Sequence, residues 1–531
     1  MRDMGRNYTK EDLDGYSKEM LITLFLSMQE QVEQVNQNME LLIEQIACAR
    51  QQRYGRHSEK LSVIEGQLNL FNEIEQVMET LYVLEPELED ICPKKTSKKR
   101  KGKREEDIKG LPVTIIRHVL SEEELREQFG EHYKQLPDEV YKRLNYHPAT
   151  YEVEEHHVEV YAGMDNQTIV KAKRPASLLR NSIVTPSLEA SILNGKYVNA
   201  LPLYRMEQEF QRNEIHISRQ VMSNWTIQCC ERYLSLLYDR LHERLFSYHV
   251  LQADETFVEV SKDGRLAGSK SYMWIYRTGK MYEEAIVLYD YQKTRKADHP
   301  RSYLKGFTGV VVTDGYEVYH KLEREEELKV AGCWSHARRK YAEALKSIKN
   351  KENVKNTIAY QALSQIGAIY QLEKEFAKLS NEERKQQRNL ILRPLVEAYF
   401  AWVKEQIPKM GKGKTLDGLN YSVNQETYLK VFLEDGEVPM DNNAAEQSIR
   451  GFCIGRKNWI LIDTIDGAKA SAIAYSIAET AKANHLNPYE YYKHLLTVIP
   501  EHMDDKNLDF LDDLLPWSKT LPKVCRQKEN H

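Results

Sequence analysis

An aspartate in the middle of an apolar, strand-like stretch constrains this chain more than any other feature. Residues Tyr248–Val260 read YHVLQADETFVEV, with Asp254 in the middle of a mainly apolar run. Because burying an unpaired carboxylate is costly, an aspartate there predicts a partner such as a cation. Neighbouring strand residues face opposite ways, so Asp254 and Glu255 cannot easily serve one site. Asp254, which shares its face with Gln252 and Thr256, is the better candidate, and a hydrogen-bonded structural aspartate is the alternative.

Four more strand-like stretches follow. They read SYMWIYRT (271–278), EAIVLYDYQ (284–292), GVVVTDGY (309–316) and LKVAGCWSH (328–336), with a short helix predicted at HPRSYLKGF. The fourth of the five strands ends at Asp314, and the fifth runs into a helix at ARRKYAEALKSI. Three strands, a helix and a strand ending in aspartate follow the order of the ribonuclease H-like fold. That fold places one acid on its first strand and a second near the end of its fourth, which predicts Asp254 and Asp314 at one site.

Glu446 is the candidate third acid, in the segment MDNNAAEQSIRGFCIGRKNWI (440–460). Asn443 as N-cap with Glu446 three residues on also approaches a capping box, so a structural role is the alternative. Asp441 is either a fourth ligand or a turn residue. The interval between Asp314 and Glu446 spans 132 positions (446 − 314). It is too long for a loop and predicts an independently structured, mainly helical insertion.

Three carboxylates converging at a sheet edge suit metal-assisted chemistry on a phosphodiester. Two divalent ions about 3.5–4 Å apart can activate the attacking oxygen and stabilise the leaving oxygen. Hard ions such as Mg²⁺ prefer carboxylate oxygens and leave positions for water and substrate. The sequence therefore predicts Asp254, Asp314 and Glu446 as catalytic and metal-binding residues for two Mg²⁺ or Mn²⁺ ions.

Two groups of polar residues are candidates for DNA contacts. Residues 186–228 predict three short helices, the last two in a helix-turn-helix arrangement with Ser218 as a candidate N-cap. The second helix of such a pair can enter a major groove, although bare helical hairpins share the pattern. The candidates on it are Arg219, Gln220, Ser223 and Asn224. The candidates near the acids are His336, Arg339, Asn442, Asn443, Arg450, Arg456 and Lys457, for which satisfied polar helix starts and capping are the alternatives.

The N-terminal region predicts self-association and a tether. Apolar residues between about 17 and 50 alternate spacings of four and three, which is typical of a coiled-coil seam. The basic run KKTSKKRKGKR (94–104) predicts a solvated linker, with phosphate binding as the alternative. Apolar runs long enough for a membrane span or a secretory signal are missing, so we expect a cytoplasmic protein. The 7 cysteines include no CxxC pair for a zinc ribbon.

Together these residues resemble the transposases of bacterial insertion sequence family 66, a DDE-type group. The similar stretches run from about residue 53 to 495 in the family's order: RYGRHSEK, LNYHPATYEV, KYVNALPLYRMEQEFQRNEIHISRQVMSNW, QADETFVEV, VVTDGYEVY, GCWSHARRKY and DNNAAEQSIRGFCIGRKNWILIDTIDGAKASAIAYSIAETAKANHLNPYEYY. The resemblance implies DNA transposition with Asp254, Asp314 and Glu446 as the metal-binding triad. It also implies terminal inverted repeats as substrates and two small accessory proteins as partners. The family's cysteine-rich zinc motif has no counterpart in residues 111–185, so no zinc is expected.

The predicted architecture is multidomain α/β, with a ribonuclease H-like catalytic domain split by the helical insertion. Its segments are a coiled-coil arm (1–60), a helix and basic linker (61–110), a small α+β module (111–185), a helix-turn-helix (186–245), the catalytic domain in two parts (246–349 and 436–500) around the insertion (350–435), and a tail (501–531). We expect a nucleoid-associated homo-oligomer that cleaves at the inverted repeats and joins the freed 3′-hydroxyl to target DNA. The alternatives are a nuclease that cuts without joining and a transposon-derived DNA-binding regulator without catalysis.

Overall fold

The computed structural model describes residues 115, 123, 150–162, 169–173, 177–266, 268–346 and 351–527. The predicted coiled-coil arm and basic linker fall outside the described residues. Contacts divide the chain into two units, one of residues 84–175 and one that contains residues 176–531. Among the described residues, no helix has the length and apolar character needed to cross a bilayer.

The described part of the smaller unit contains a short antiparallel hairpin. Its strands are β1 (Val160–Ala162) and β2 (Ile169–Lys171). Residues 151–159 before β1 form no strand and are exposed except for the half-buried Val158. His156 and His157 each pair with the glutamate two positions earlier, at 3.3 and 3.0 Å. They form no joint metal pair.

The larger unit begins with four helices. They are α1 (Pro186–Leu193), α2 (Leu203–Arg212), α3 (Arg219–Cys229) and α4 (Ser235–Leu245). The Ser218 side chain caps α3 as predicted, since its Oγ accepts a hydrogen bond from the Val221 backbone N–H. A glutamate lies buried where α1 packs on α3. Oε1 of Glu189 accepts a hydrogen bond from Thr226 Oγ1 at 2.8 Å, while Oε2 has no partner among the described residues.

Replacing Glu189 by glutamine is expected to stabilise the protein at neutral pH. Burial raises the pKa of Glu189 from 4.5 to about 8, so its contribution to stability is present below pH 4.5 and lost as pH rises towards 8. Glutamine stays neutral at all these pH values and avoids this loss of unfolding free energy, which is about 3 kcal/mol at pH 7. Urea unfolding of both proteins between pH 4 and 8 tests this expectation. Equal slopes of unfolding free energy against pH in the two proteins would contradict it.

A six-stranded mixed sheet follows. Its strands are β3 (Val250–Lys262), β4 (Lys270–Thr278), β5 (Val287–Gln292), β6 (Val310–Thr313), β7 (Lys329–Gly332) and β8 (Ile462–Thr464). The order across the sheet is β5–β4–β3–β6–β7, and β8 pairs with the far end of β3. β4 runs antiparallel to β3 and β5, whereas β6 is parallel to both β3 and β7. The strands predicted between residues 248 and 336 are therefore present.

Helices cover both faces of this sheet. Those beside and after the strands are α5 (Asp298–Tyr303), α6 (Glu317–Glu325), α7 (Trp334–Lys346), α8 (Ile358–Phe376), α9 (Asn381–Gln387), α10 (Arg393–Gln406), α11 (Lys414–Asn424), α12 (Glu426–Leu429), α13 (Asn443–Trp459), α14 (Ile465–Ala483) and α15 (Pro488–Val498). Side chains of β6 alternate between two cores: Val311 packs with the α13 and α14 side, and Val312 with α7 and the helices after it.

The helices between residues 358 and 429 are not independent of the sheet. Trp334 of α7 packs against Tyr399 and Phe400 of α10, with ring centroids 5.6 and 5.8 Å apart. Tyr399 also donates a buried hydrogen bond to the Tyr341 hydroxyl of α7. The stretch is helical as predicted, but the expectation of an independently structured insertion is wrong, because these helices complete the second core of the sheet.

Candidate active site

Strand register brings the first two predicted acids side by side. Gln252 of β3 is paired with Val312 of the parallel neighbour β6. Two residues further along each strand lie Asp254 and Asp314, on the same face as this pair because side chains alternate along a strand. Asp314 follows directly after β6 ends at Thr313. The turn is completed by Gly315 at φ 88°, in the left-handed region that glycine enters without strain.

The start of α13 is fixed across the ends of these strands. The backbone N–H of Trp334 donates to the carbonyl of Met440 at 3.1 Å. Asn442 donates its backbone N–H to Cys333 Sγ at 3.1 Å and its side-chain Nδ2 to the Ala253 carbonyl at 2.7 Å. Residues 440–442 therefore connect the ends of β3 and β7, and α13 leaves this point with Glu446 in its first turn.

Glu446 is held by α7 rather than by its own helix. It is 8% exposed, and its Oε2 accepts a hydrogen bond from Arg339 at 2.8 Å. Its Oε1 lies 3.6 Å from His336 Nδ1, and neither atom has a hydrogen-bond partner among the described residues. The helix begins with Asn442 as its N-cap residue, without a side-chain cap. The capping box considered from the sequence is therefore not formed.

Burial and the charges of nearby groups both act on the Asp254 carboxyl group. Its pKa is raised well above 3.8, first by burial and then by the negative charges of Asp314, Glu255 and Glu446. Its Oδ1 accepts a hydrogen bond from the backbone N–H of Glu255 at 2.8 Å. The site thus gathers like charges that a cation would neutralise.

Glu255 lies on the other face of β3, as strand alternation predicts. Its carboxylate forms an ion pair with Arg295, whose Nε donates to Oε1 at 2.8 Å. Burial and the charge of Asp314 raise the pKa of Glu255 to about 7, while Arg295 opposes this change. Arg295 also stacks on the Tyr316 ring at 3.8 Å from the centroid. Glu255 therefore has its own cationic partner, unlike Asp254.

The segment before α13 uses its polar side chains within the protein. Asn442 is completely buried (0% exposed), so its prediction as a DNA contact is wrong for this conformation. Asn443 is half-buried, accepts a hydrogen bond from Ser335 Oγ and donates to Asp441 Oδ2. Asp441 also accepts the backbone N–H of Asn443. These contacts give Asp441 the turn role considered from the sequence.

The basic residues of α13 differ in accessibility. Arg456 is 7% exposed, donates to Thr256 Oγ1 at 3.0 Å and to the Phe257 carbonyl, and lies over the Phe257 ring. Its prediction as a DNA contact is wrong, because the guanidinium joins α13 to β3. Arg450 and Lys457 are half-buried. Trp459 packs against Phe452 with ring centroids 5.6 Å apart.

The other predicted DNA contacts lie in two different places. Arg219, Gln220 and Asn224 are exposed on α3. His336 and Arg339, by contrast, are half-buried and face Glu446 rather than the outer surface. Burial, followed by the positive charge of Arg339, lowers the pKa of His336.

The sequence reasoning missed Cys333. It directly follows β7, and register places it beside Asp314, because Thr313 is paired with Gly332. A cysteine at the end of an apolar strand is usually a core residue, so its position in the sequence did not indicate a functional role. The spacing Cys333-x-x-His336 at a strand-to-helix junction was the available indication.

Comparison with known proteins gives several matches. Residues 181–470 match the family described as "Transposase IS66 family", residues 476–517 match "IS66 C-terminal element", and residues 41–116 match "Transposase C of IS166 homeodomain". Similar proteins from Sinorhizobium fredii include the uncharacterized protein y4qI, 27% identical over 481 residues that cover 88% of this chain and 86% of the relative. Another is the uncharacterized protein y4jD, 28% identical over 361 residues, covering 66% and 69%. Since the first family match alone spans more than half of the chain, the protein belongs to the IS66 family of transposases.

Proposed function

We propose that this chain is a DDE transposase that cleaves DNA at the ends of an insertion sequence and joins the freed 3′-hydroxyl to target DNA. Family membership implies a chain that acts on DNA. The observation that carries the proposal is the strand register that brings Asp254 of β3 beside Asp314 at the end of β6, where the negative charge of Glu446 also acts on Asp254. A strand order β5–β4–β3–β6–β7, with only the β3–β6–β7 part parallel, supports a ribonuclease H-like interpretation of the catalytic domain.

The residues present fit a hard divalent cation. Oxygen donors come from Asp254, Asp314 and Glu446, and Glu446 Oε1 is buried without a hydrogen-bond partner among the described residues. The pKa of Asp254 is raised first by burial and then by the negative charges of its neighbours, and a bound cation would offset both effects. Ions of the Mg²⁺ type held by these carboxylates would polarise the scissile phosphate and generate a nucleophilic oxygen at neutral pH.

The surrounding residues position the acids. Arg339 orients the Glu446 carboxylate through Oε2, while Oε1 lies 3.6 Å from His336 Nδ1. Tyr421 donates its hydroxyl to the Asp314 carbonyl at 2.8 Å, which fixes the turn after β6. Asn442 ties the start of α13 to β3. In the proposed reaction these contacts hold the carboxylates in place before DNA arrives, so that less reorganisation is needed during the reaction.

One assay separates the proposed function from its alternatives. Purified full-length chain is incubated with a labelled inverted-repeat end, a target plasmid, Mg²⁺ or Mn²⁺ and the element's small accessory proteins. Joined products support the transposase, and cleavage without joining supports a nuclease. Retention of the labelled end without either reaction supports a DNA-binding regulator. An Asp254→Ala variant serves as the control for contaminating nuclease.

The exposed face of α3 is the proposed DNA reader. Arg219→Ala or Asn224→Ala is expected to weaken binding to the labelled end by about 10- to 100-fold, because one good side-chain contact to a base is worth about 1–3 kcal/mol. Gel-shift titration at fixed salt measures this. Gln211→Ala, an exposed change on α2, is the matched control and should bind normally. Unchanged affinity of both α3 variants would remove α3 from the DNA interface.

A further inference from the structure

A second set of possible metal ligands, of different chemistry, shares Glu446 with the acid cluster formed by Asp254, Asp314 and Glu446. Ligand atoms of Cys333, His336 and Glu446 all lie within 4.8 Å of one another. The closest measured pair is His336 Nδ1 and Glu446 Oε1 at 3.6 Å, and both atoms are buried without a hydrogen-bond partner among the described residues. Two unpartnered ligand atoms that face each other across this gap indicate a site for a cation.

The donor types select a particular class of cation. Sulfur, imidazole nitrogen and one carboxylate oxygen suit Zn²⁺ and ions like it, whereas Mg²⁺ prefers oxygen ligands throughout. Three protein ligands with a fourth position for water is a common arrangement for zinc. Cys333 directly precedes α7 and His336 lies in the first turn of that helix, so the strand-to-helix junction brings the two side chains together.

The surroundings accommodate such an ion. The backbone N–H of Asn442 already donates to Cys333 Sγ at 3.1 Å and would also stabilise a thiolate. Arg339 occupies Oε2 of Glu446, so Oε1 is available to a cation without loss of that ion pair. Arg339 Nη1 also lies 3.2 Å from His336 Nε2, and it must leave that contact when Nδ1 binds the ion, because the imidazole then carries its proton on Nε2. A thiolate and a carboxylate together balance the charge of a divalent ion. Binding forms a metal–sulfur bond and releases the Cys333 thiol proton to solvent.

We propose that Cys333, His336 and Glu446 bind one zinc-class ion, and that this ion competes with the hard cations of the acid cluster for Glu446. Binding itself depends only on the geometry of the three residues. The competition rests on the proposed function, because it requires Glu446 to serve Asp254 and Asp314. The proposal departs from the expectation of no zinc, which concerned residues 111–185. Zinc-class ions would therefore inhibit DNA cleavage by taking Glu446 away from the hard cations.

Cobalt titration tests the site without DNA. Co²⁺ is added to the reduced full-length chain in excess Mg²⁺, and the cobalt–thiolate absorbance is recorded. We expect the absorbance band to saturate at one equivalent of Co²⁺. Cys333→Ser should abolish the band, and Glu446→Gln should lower the affinity for Co²⁺ by on the order of 100-fold. Cys453→Ser, another buried cysteine, and Asp254→Asn should retain it, and thermal melts confirm that each variant folds. A missing band, or one that survives Cys333→Ser in a folded protein, overturns the proposal.

Zinc inhibition tests the competition. With Mg²⁺ held constant, added Zn²⁺ should reduce end cleavage by the parent protein, and Cys333→Ser should be inhibited less relative to its own zinc-free rate. Equal inhibition of the two proteins overturns the competition. A chain with the cobalt band but without Mg²⁺-dependent cleavage would support the metal site and contradict the proposed function, so the two failures are distinguishable.

Discussion

Asp254→Asn, Asp314→Asn and Glu446→Gln are each expected to lower end cleavage and strand joining by about 10³-fold or more. Metal-ion stabilisation of the reacting phosphate is worth several kcal/mol, and each 1.36 kcal/mol corresponds to a factor of ten in rate. Each amide keeps the size of the side chain but removes the charge that holds the cation. Initial rates with a labelled end and Mg²⁺ measure the loss.

Asp290→Asn is the matched control for these variants. Asp290 lies half-buried on β5, where burial raises its pKa to about 6 and Gln292 donates a hydrogen bond to it at 2.8 Å. It belongs to the same sheet but not to the acid cluster, so its replacement should leave the rate within about twofold, as expected for a change that removes no transition-state contact. Equal losses in Asp290→Asn and Asp254→Asn would mean that the effect is one of folding.

Asp254→Asn should also change the response of stability to metal. In a chelating buffer at neutral pH, the variant is expected to melt at a higher temperature than the parent, because one of three mutually repelling carboxylates is gone. Added Mg²⁺ should then stabilise the parent more than the variant. Identical melting shifts in the two proteins would count against Asp254 as a ligand.

Arg339→Met is expected to destabilise the metal-free protein by about 3 kcal/mol, because loss of one partner leaves a buried charge on Glu446 uncompensated. The side chains of Arg339 and Glu446 are only 15% and 10% exposed, so solvent screens their interaction weakly. Chemical denaturation in a chelating buffer measures the change. Arg339→Met should also slow DNA cleavage, since Glu446 loses the contact that orients it.

A double variant identifies the cause of this loss. When Glu446 is already glutamine, replacing Arg339 by methionine should cost much less, because no carboxylate is left unpaired. The difference between the two effects is the coupling energy of the pair. If Arg339→Met costs the same in both backgrounds, Arg339 acts through packing on α7 and does not hold the carboxylate of Glu446.

The strand pattern of the sequence predicted the sheet and the opposite orientation of two neighbouring acids on its first strand. Alternation along β3 separates Asp254 from Glu255, and the structure places Glu255 on the opposite face with Arg295. This works because strand geometry is local and has a fixed period of two. The contact that holds the predicted third acid, Glu446, was beyond such reasoning. The partner of Glu446 is Arg339, 107 positions earlier, and no local pattern connects them.

Polarity alone misled the prediction at two positions of the 440–460 segment. Asn442 and Arg456 were expected at the DNA surface because amides and guanidinium groups favour phosphates and bases. In the structure both satisfy backbone carbonyls of β3, at Ala253 and Phe257. A buried polar side chain with an internal partner has the same sequence signature as an exposed one. Only the three-dimensional structure distinguishes the buried side chain from the exposed one, and for Asn442 the path of residues 440–442 decides this.

That path has a consequence for when the protein can act during its synthesis. A nascent polypeptide that has emerged from the ribosome as far as residue 440 carries Asp254 and Asp314 but not Glu446. It also lacks α13, whose contacts with β3 cover the strand next to the acids. Under the proposed function, chains truncated by premature termination before this helix hold two of the three acids and should be inert towards chromosomal DNA, which confines any nicking to polypeptides that include α13.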